Sequence, residues 1–81
     1  MQPMKKPNLK LCKIVESLAM GYSAHEIGDQ LYLSPRTIQV YLNDAHSTYN
    51  VNNSGGLIGV FIIEKWIHLS NLSYKYFKWR N

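Results

Sequence analysis

The stretch GYSAHEIGDQLYLSPRTIQVYL, residues 21–42, contains two helix starts in close succession. Ser23 and Glu26 form an S-x-x-E capping box, in which each side chain binds a backbone N–H that the first helical turn leaves unpaired. Ser34 is a second capping serine, followed by Pro35 at the first helical position, where the N–H that proline lacks is not needed. This spacing predicts a short helix, a tight turn and a second helix.

The second of these helices has two different faces. The apolar face consists of Ile38, Leu42, Ala45 and Tyr49, and the opposite face consists of Arg36, Gln39, Val40, Asn43 and Ser47. Arginine, glutamine and asparagine carry forked donors and acceptors that match base edges in the DNA major groove, which is about 12 Å wide and admits a helix. A solvated polar surface is the plain alternative. The capped helix and tight turn before it favour a DNA-binding helix-turn-helix.

Length and charge limit the class of protein. A chain of 81 residues forms one domain at most, and its 46% hydrophobic and 17% charged residues argue against disorder. The net charge of +4 is uneven, with +3 on residues 1–22, −2 on residues 23–63 and +3 on residues 64–81. DNA phosphates would repel the acidic middle unless the basic ends compensate.

The sequence gives no sign of catalytic, metal-binding or membrane-spanning residues. Cys12 has no partner for a disulfide and is expected to be a small core residue. His25, His46 and His68 are scattered, without carboxylates or cysteines at ligand spacing, so neither a metal nor another cofactor is expected. No apolar run reaches the roughly 18 residues that cross a bilayer, and no cleavable leader is recognisable. A cytoplasmic protein that is not an enzyme and has no membrane partner is therefore expected.

Helical periodicity and caps divide the chain into an arm, a domain and a tail. Asn8 is a good cap for a first helix, Gly21 suits its end, and Asn53 can cap a fourth helix. The prediction is an all-α, four-helix bundle in residues 8–70, with helices at about 8–20, 24–31, 35–49 and 54–69, a flexible basic arm in residues 1–7 and a basic-aromatic tail in residues 71–81.

The predicted fourth helix carries more apolar surface than a small bundle needs. Its apolar residues sweep an arc of roughly 200°, and Leu57 and Phe61 are predicted nearer the polar strip of Glu64, Lys65 and His68. A second copy of the chain, the chain's own tail or another protein could cover this surface. The residues predicted to contact such a partner are Ile58, Ile62, Ile63, Trp66, Ile67, Leu69, Tyr74, Phe77 and Trp79.

From Ser17 to Leu57 the chain resembles the LuxR/GerE-type, NarL-like helix-turn-helix domain. The matching residues are Leu18, Ala19, Gly21, Ser23, Glu26, Ile27, Leu31, Ser34, Thr37, Ile38, Val51 and Asn53. Sigma-factor region 4 shares the S-x-x-E-I and S-x-x-T patterns, but Val51 and Asn53 fit the LuxR type better. The resemblance implies a four-helix DNA-binding domain that dimerises through its fourth helix and regulates transcription. By position it places DNA contacts on Arg36, Thr37, Gln39, Val40, Tyr41 and Asp44.

Together, the residues and the resemblance predict a stand-alone transcriptional regulator that binds double-stranded DNA as a homodimer. Arg36, Gln39 and Asn43 are expected to contact bases, whereas Ser34 and Thr37 hold phosphate near the helix start. The predicted DNA-binding residues are Ser34, Arg36, Thr37, Gln39, Val40, Tyr41, Asn43, Ser47, Lys5, Lys6, Lys10 and Lys13. The alternative is a module that binds another regulatory protein through helix 4 and the tail, with weak or no DNA binding.

Overall fold

The computed structural model describes residues 4–68 and contains four helices in this part of the chain. These are α1 (Leu9–Ala19), α2 (Ala24–Leu31), α3 (Pro35–Thr48) and α4 (Ser54–Ile63). The described residues form no strand, and the predicted all-α, four-helix architecture is confirmed. The predicted tail, residues 71–81, lies outside the described residues, as do Leu69, Tyr74, Phe77 and Trp79.

Every described helix begins at a polar side chain that accepts a hydrogen bond from the backbone N–H three residues later. The donor–acceptor distances are 2.8 Å from Leu11 to Asn8, 3.1 Å from Glu26 to Ser23, 3.1 Å from Thr37 to Ser34 and 2.9 Å from Gly56 to Asn53. Glu26 also accepts from the backbone N–H of Ser23 at 2.9 Å, which completes the capping box. Such a cap contributes about 1 kcal/mol to stability.

The same helices all end in the same type of turn. A residue with positive φ follows or closes each helix, namely Gly21, Tyr32, Asn50 and Lys65. The next backbone N–H then bonds a carbonyl five residues back, in the pairs Tyr22–Ser17, Leu33–Gly28, Val51–His46 and Trp66–Phe61. This is the 6→1 bond of the Schellman motif, and it satisfies carbonyls that the last helical turn leaves without partners. Every described helix is therefore ended by a left-handed turn whose hydrogen bond closes its last turn.

The end of α4 differs from the prediction. The helix ends at Ile63, whereas the sequence predicts a helix to about residue 69. Lys65 adopts φ of 62°, and the N–H of Trp66 bonds the carbonyl of Phe61 at 2.9 Å. The Trp66 ring then lies edge-on to the Phe61 ring, with centroids 5.1 Å apart. The next residue, Ile67, is buried in the core. Burying these apolar side chains outweighs the cost of a left-handed lysine.

One hydrophobic core joins the four helices. Its buried residues are Ile14, Val15, Ile27, Ile38, Leu42, Ala45, Tyr49, Leu57, Phe61 and Ile67. Helix α2 packs mainly against α3, and α1 packs mainly against α4. The predicted orientation of α4 was wrong, because Leu57 and Phe61 are completely buried. The polar strip that suggested the opposite orientation begins at Glu64, after the helix has ended.

The turn between α2 and α3 depends on Gly28. The carbonyl oxygen of Leu33 lies directly over the Gly28 Cα, so a Cβ at this position would overlap with that oxygen. The N–H of Leu33 also donates a hydrogen bond to the carbonyl of Gly28 at 2.9 Å, so the backbones of these two residues are joined directly. Because Ser34 caps α3 immediately afterwards, this contact sets where α3 begins.

We predict that Gly28→Ala destabilises the protein and that Gly59→Ala does not. Alanine at position 28 must displace the turn backbone, which is expected to cost about 1–3 kcal/mol. Gly59 lies in α4, and a Cβ added there would meet no atom within 4 Å, so alanine should stabilise by about 0.5–1 kcal/mol. Urea unfolding measures both values, at a protein concentration low enough to keep the chain monomeric. Equal effects of the two substitutions would contradict the role of the Gly28 contact.

Candidate nucleic-acid interface

Helix α3 begins with two adjacent hydroxyl groups at its positive end. Ser34 Oγ accepts from the N–H of Thr37 at 3.1 Å and lies 2.9 Å from Thr37 Oγ1. Pro35 occupies the first turn, and Ser34 is exposed while Thr37 is half-buried. The N-terminus of a helix carries a partial positive charge and free N–H groups, so these hydroxyls lie where an anionic oxygen is favoured.

The outward face of α3 is open to solvent in the described part of the chain. Its residues Arg36, Gln39, Val40, Asn43 and Ser47 are all exposed. Gln39 Nε2 donates to Asn43 Oδ1 at 3.2 Å, which aligns the two amides one helical turn apart. The Asn43 amide nitrogen and the Gln39 amide oxygen take no part in this bond, so the exposed pair keeps one donor and one acceptor group for a ligand. Such a combination is complementary to an adenine edge.

The start of the chain lies beside one flank of this face. Residues 4–8, here called the strap, lie beside α3 and include the described part of the predicted arm, residues 1–7. A groove of about 210 Å³ lies between the strap and the helices, and residues of both line it. Its lining includes Lys5, Lys6, Tyr41, Asp44 and Thr48. Tyr41 is half-buried here, so less of it is available to a ligand than of the exposed residues of α3.

The four predicted lysines divide into two pairs. Lys5 and Lys6 belong to the strap and line the groove beside α3. Lys10 and Lys13 are exposed on α1, one helical turn apart. The structure therefore places the first pair next to the outward face of α3, while a role for the second pair stays a prediction.

Most acidic residues of the middle segment, residues 23–63, lie away from the outward face of α3. Glu26 belongs to the capping box at the start of α2. Asp29 lies 3.5 Å from His25 Nδ1 on the exposed side of α2. Asp44 is the acidic residue of α3, and it lies in the groove beside Lys5 and Lys6. The local charge next to the α3 face is therefore less negative than the net charge of −2 on residues 23–63 suggests.

The predicted partner residues of α4 have different surroundings. Ile63 is 76% exposed, whereas Ile58, Ile62 and Trp66 are half-buried. Ile67 is 3% exposed, so the prediction that it contacts a partner was wrong and it belongs to the core instead. Ile67 reaches the core because α4 ends and the chain turns at Lys65, two residues earlier.

Tyr49 has a contact that periodicity did not predict. Its ring is buried in the core, and its hydroxyl donates to the carbonyl oxygen of Lys5 at 2.8 Å. Burial raises the pKa of the Tyr49 phenol, so the hydroxyl stays protonated and remains a donor. Burial likewise raises the pKa of the Cys12 thiol, in keeping with its half-buried place against the core. A tyrosine at a core position of the predicted third helix was the available signal, because a buried hydroxyl needs a partner.

Comparison with known proteins identifies the fold's family. Residues 11–60 match the GerE family model, which describes bacterial regulatory proteins of the luxR family. The chain belongs to the luxR family. This match covers more than half of the 81 residues and confirms the resemblance found in the sequence. Searches of curated proteins and of solved structures gave no significant match.

Membership of the luxR family fits the outward face of α3. The domain is a DNA-binding domain of transcription regulators, and α2 and α3 of this chain form its helix-turn-helix. Residues 4–68 contain no helix long and apolar enough to span a bilayer. The same residues contain no group of three His, Cys, Asp or Glu side chains able to hold a metal ion.

Proposed function

We propose that this luxR-family chain is a sequence-specific transcription regulator that inserts α3 into the DNA major groove. The observation that carries the proposal is the exposed row of Arg36, Gln39 and Asn43 on the helix that follows the Gly28 turn. Helix α3 has 14 residues, about 21 Å at a rise of 1.5 Å per residue, so its outward face can contact several consecutive base pairs.

Base contacts are assigned to the three forked side chains. Arg36 lies in the first turn of α3, and its guanidinium suits the two acceptors of guanine. The linked amides of Gln39 and Asn43 suit adenine. Val40 and Ser47 complete the same face, where Val40 offers an apolar surface to a thymine methyl group.

Phosphate contacts are assigned to the start of α3 and to lysines. Ser34 and Thr37 lie at the positive end of the helix, where their hydroxyls favour a phosphate oxygen. Lys5 and Lys6 add positive charge beside α3, and Lys10 and Lys13 extend it over α1. These contacts position the helix and supply most of the salt-dependent affinity, while the base contacts supply specificity.

We infer that the regulator acts as a homodimer through α4. The side of α4 opposite the buried Leu57 and Phe61 carries Ile63 together with Gly55 and Gly59. No atom lies within 4 Å of the space that a Gly59 Cβ would occupy, so a second helix can approach closely there. A twofold pair would present two copies of α3 to half-sites one DNA turn apart, about 34 Å.

We predict that Arg36→Ala relaxes sequence preference. The variant should lose about 1–3 kcal/mol of discrimination at one base position, because the two-pronged contact to guanine is lost. Lys10→Ala is the matched control, since loss of a phosphate contact weakens all sequences equally and lowers the salt slope by about 0.9. Binding to a randomised duplex pool, followed by sequencing, measures the preference. An unchanged preference in Arg36→Ala would refute the assigned base contact.

We predict that Ile63→Glu yields a monomer with weakened DNA binding. A charge on this exposed residue would oppose apolar helix pairing without disturbing the core of the subunit. Leu9→Glu is the control, because Leu9 is 81% exposed at the start of α1 and lies outside the proposed interface. Sedimentation velocity over a concentration series separates monomer from dimer. A monomeric wild-type chain would contradict the homodimer and favour the use of α4 for another regulatory protein.

A further inference from the structure

The strap is attached to α3 by a hydrogen bond between residues far apart in sequence. Tyr49 Oη donates to the carbonyl oxygen of Lys5 at 2.8 Å, across 44 positions, whereas the helix caps join residues three apart. The contact is partly buried, so water competes weakly for either group. It fixes the backbone of Lys5 without using the lysine side chain, which remains exposed.

The anchor for the strap is rigid. The Tyr49 ring packs against Phe61, with centroids 5.4 Å apart, and against Trp66, with centroids 5.3 Å apart. Both neighbours pack in or against the buried core at the end of α4, and Tyr49 itself is 5% exposed. The hydroxyl is therefore held at one position, and the strap can bind there with little loss of entropy in its partner.

The strap changes the charge beside the recognition face. The α3 wall of the groove contributes Asp44, and the strap contributes Lys5 and Lys6. The two lysines turn the local net charge from −1 to +1. A helix of about 10–12 Å diameter fills the 12 Å major groove, so each flank of the helix meets a phosphate backbone. The flank that carries Asp44 would repel those phosphates if the strap were absent.

We propose that Tyr49 is a positioning residue for DNA binding, which docks the strap on α3 so that Lys5 and Lys6 contact the phosphates beside the recognition helix. This inference rests on the proposed function. It identifies the ligand of the groove beside α3 as the phosphodiester backbone of DNA. Docking removes the entropy cost of ordering the arm when DNA binds, and it offsets the charge of Asp44 before DNA arrives.

The test uses the full chain with Tyr49→Phe, which removes the hydroxyl and keeps the ring contacts with Phe61 and Trp66. Tyr32→Phe is the matched control, because Tyr32 is 94% exposed and loses the same atom. Affinity for a mixed-sequence duplex is measured between about 50 and 200 mM salt. Two phosphate contacts correspond to a slope of about 1.8, so Tyr49→Phe should lower the salt slope by about 0.9 to 1.8 while Tyr32→Phe leaves it unchanged.

A double-mutant cycle tests whether Tyr49 acts through the lysines. The pair Lys5→Gln and Lys6→Gln should lower the slope by about 1.8, and adding Tyr49→Phe to that background should lower it no further. Additive losses would overturn the inference, because Tyr49 would then affect binding by another route. An unchanged slope in Tyr49→Phe would overturn it as well.

Docking has a second readout that does not depend on DNA. Trypsin cleavage of the Lys5–Lys6 bond, followed by mass spectrometry, should be about fivefold faster in Tyr49→Phe than in the wild-type and Tyr32→Phe chains, as expected for the loss of one hydrogen bond. Equal cleavage rates would refute docking by Tyr49. A wild-type chain that binds no duplex would refute the proposed function and the phosphate role of the strap, while the cleavage rates would still decide whether Tyr49 holds the strap.

Discussion

The close approach of Leu33 to Gly28 is the contact on which the geometry of the domain depends. The carbonyl oxygen of Leu33 occupies the space of an absent Cβ, so α2 can end and α3 can begin within a few residues. Ser34 caps α3 directly after this contact, and the buried Ile38 joins the helix to the core. With its start and its inner face both fixed, α3 has one orientation in which its polar face is outward. A larger residue at position 28 would displace the whole face rather than one side chain.

Charge placement explains how a domain with an acidic middle segment can suit DNA. The carboxylates of α2 take part in a capping box and lie beside His25, so they do not line the outward face of α3. Asp44 does lie on the flank of α3, but Lys5 and Lys6 line the same groove. Net charge along the sequence and net charge at a surface are therefore different quantities here, because the fold brings the basic start of the chain to the acidic helix.

Local signals predicted the starts of all four described helices, but neither the end of α4 nor the side of α4 that is buried. Capping residues such as Ser23 and Ser34 act through bonds to neighbours three residues away, so a short sequence window contains the whole interaction. The left-handed turn at Lys65 places Trp66 against Tyr49, a residue of another part of the chain, and a lysine gives no local signal for such a turn. Leu57 was misplaced because α4 is apolar on nearly all sides, so periodicity could not select the buried face. The hydrogen bond from Tyr49 to the strap joins residues 44 positions apart, so local sequence patterns could not predict it either.

The outward face of α3 is the surface that we propose meets DNA, and every other proposed DNA contact depends on it. Nuclear magnetic resonance of the 15N-labelled chain, titrated with a mixed-sequence duplex at low salt, tests this claim directly through the side-chain amide signals of Gln39 and Asn43. We expect these signals and the backbone signals of residues 34–47 to shift together and saturate. Shifts confined to α4, with the Gln39 and Asn43 amides unchanged at saturation, would contradict it.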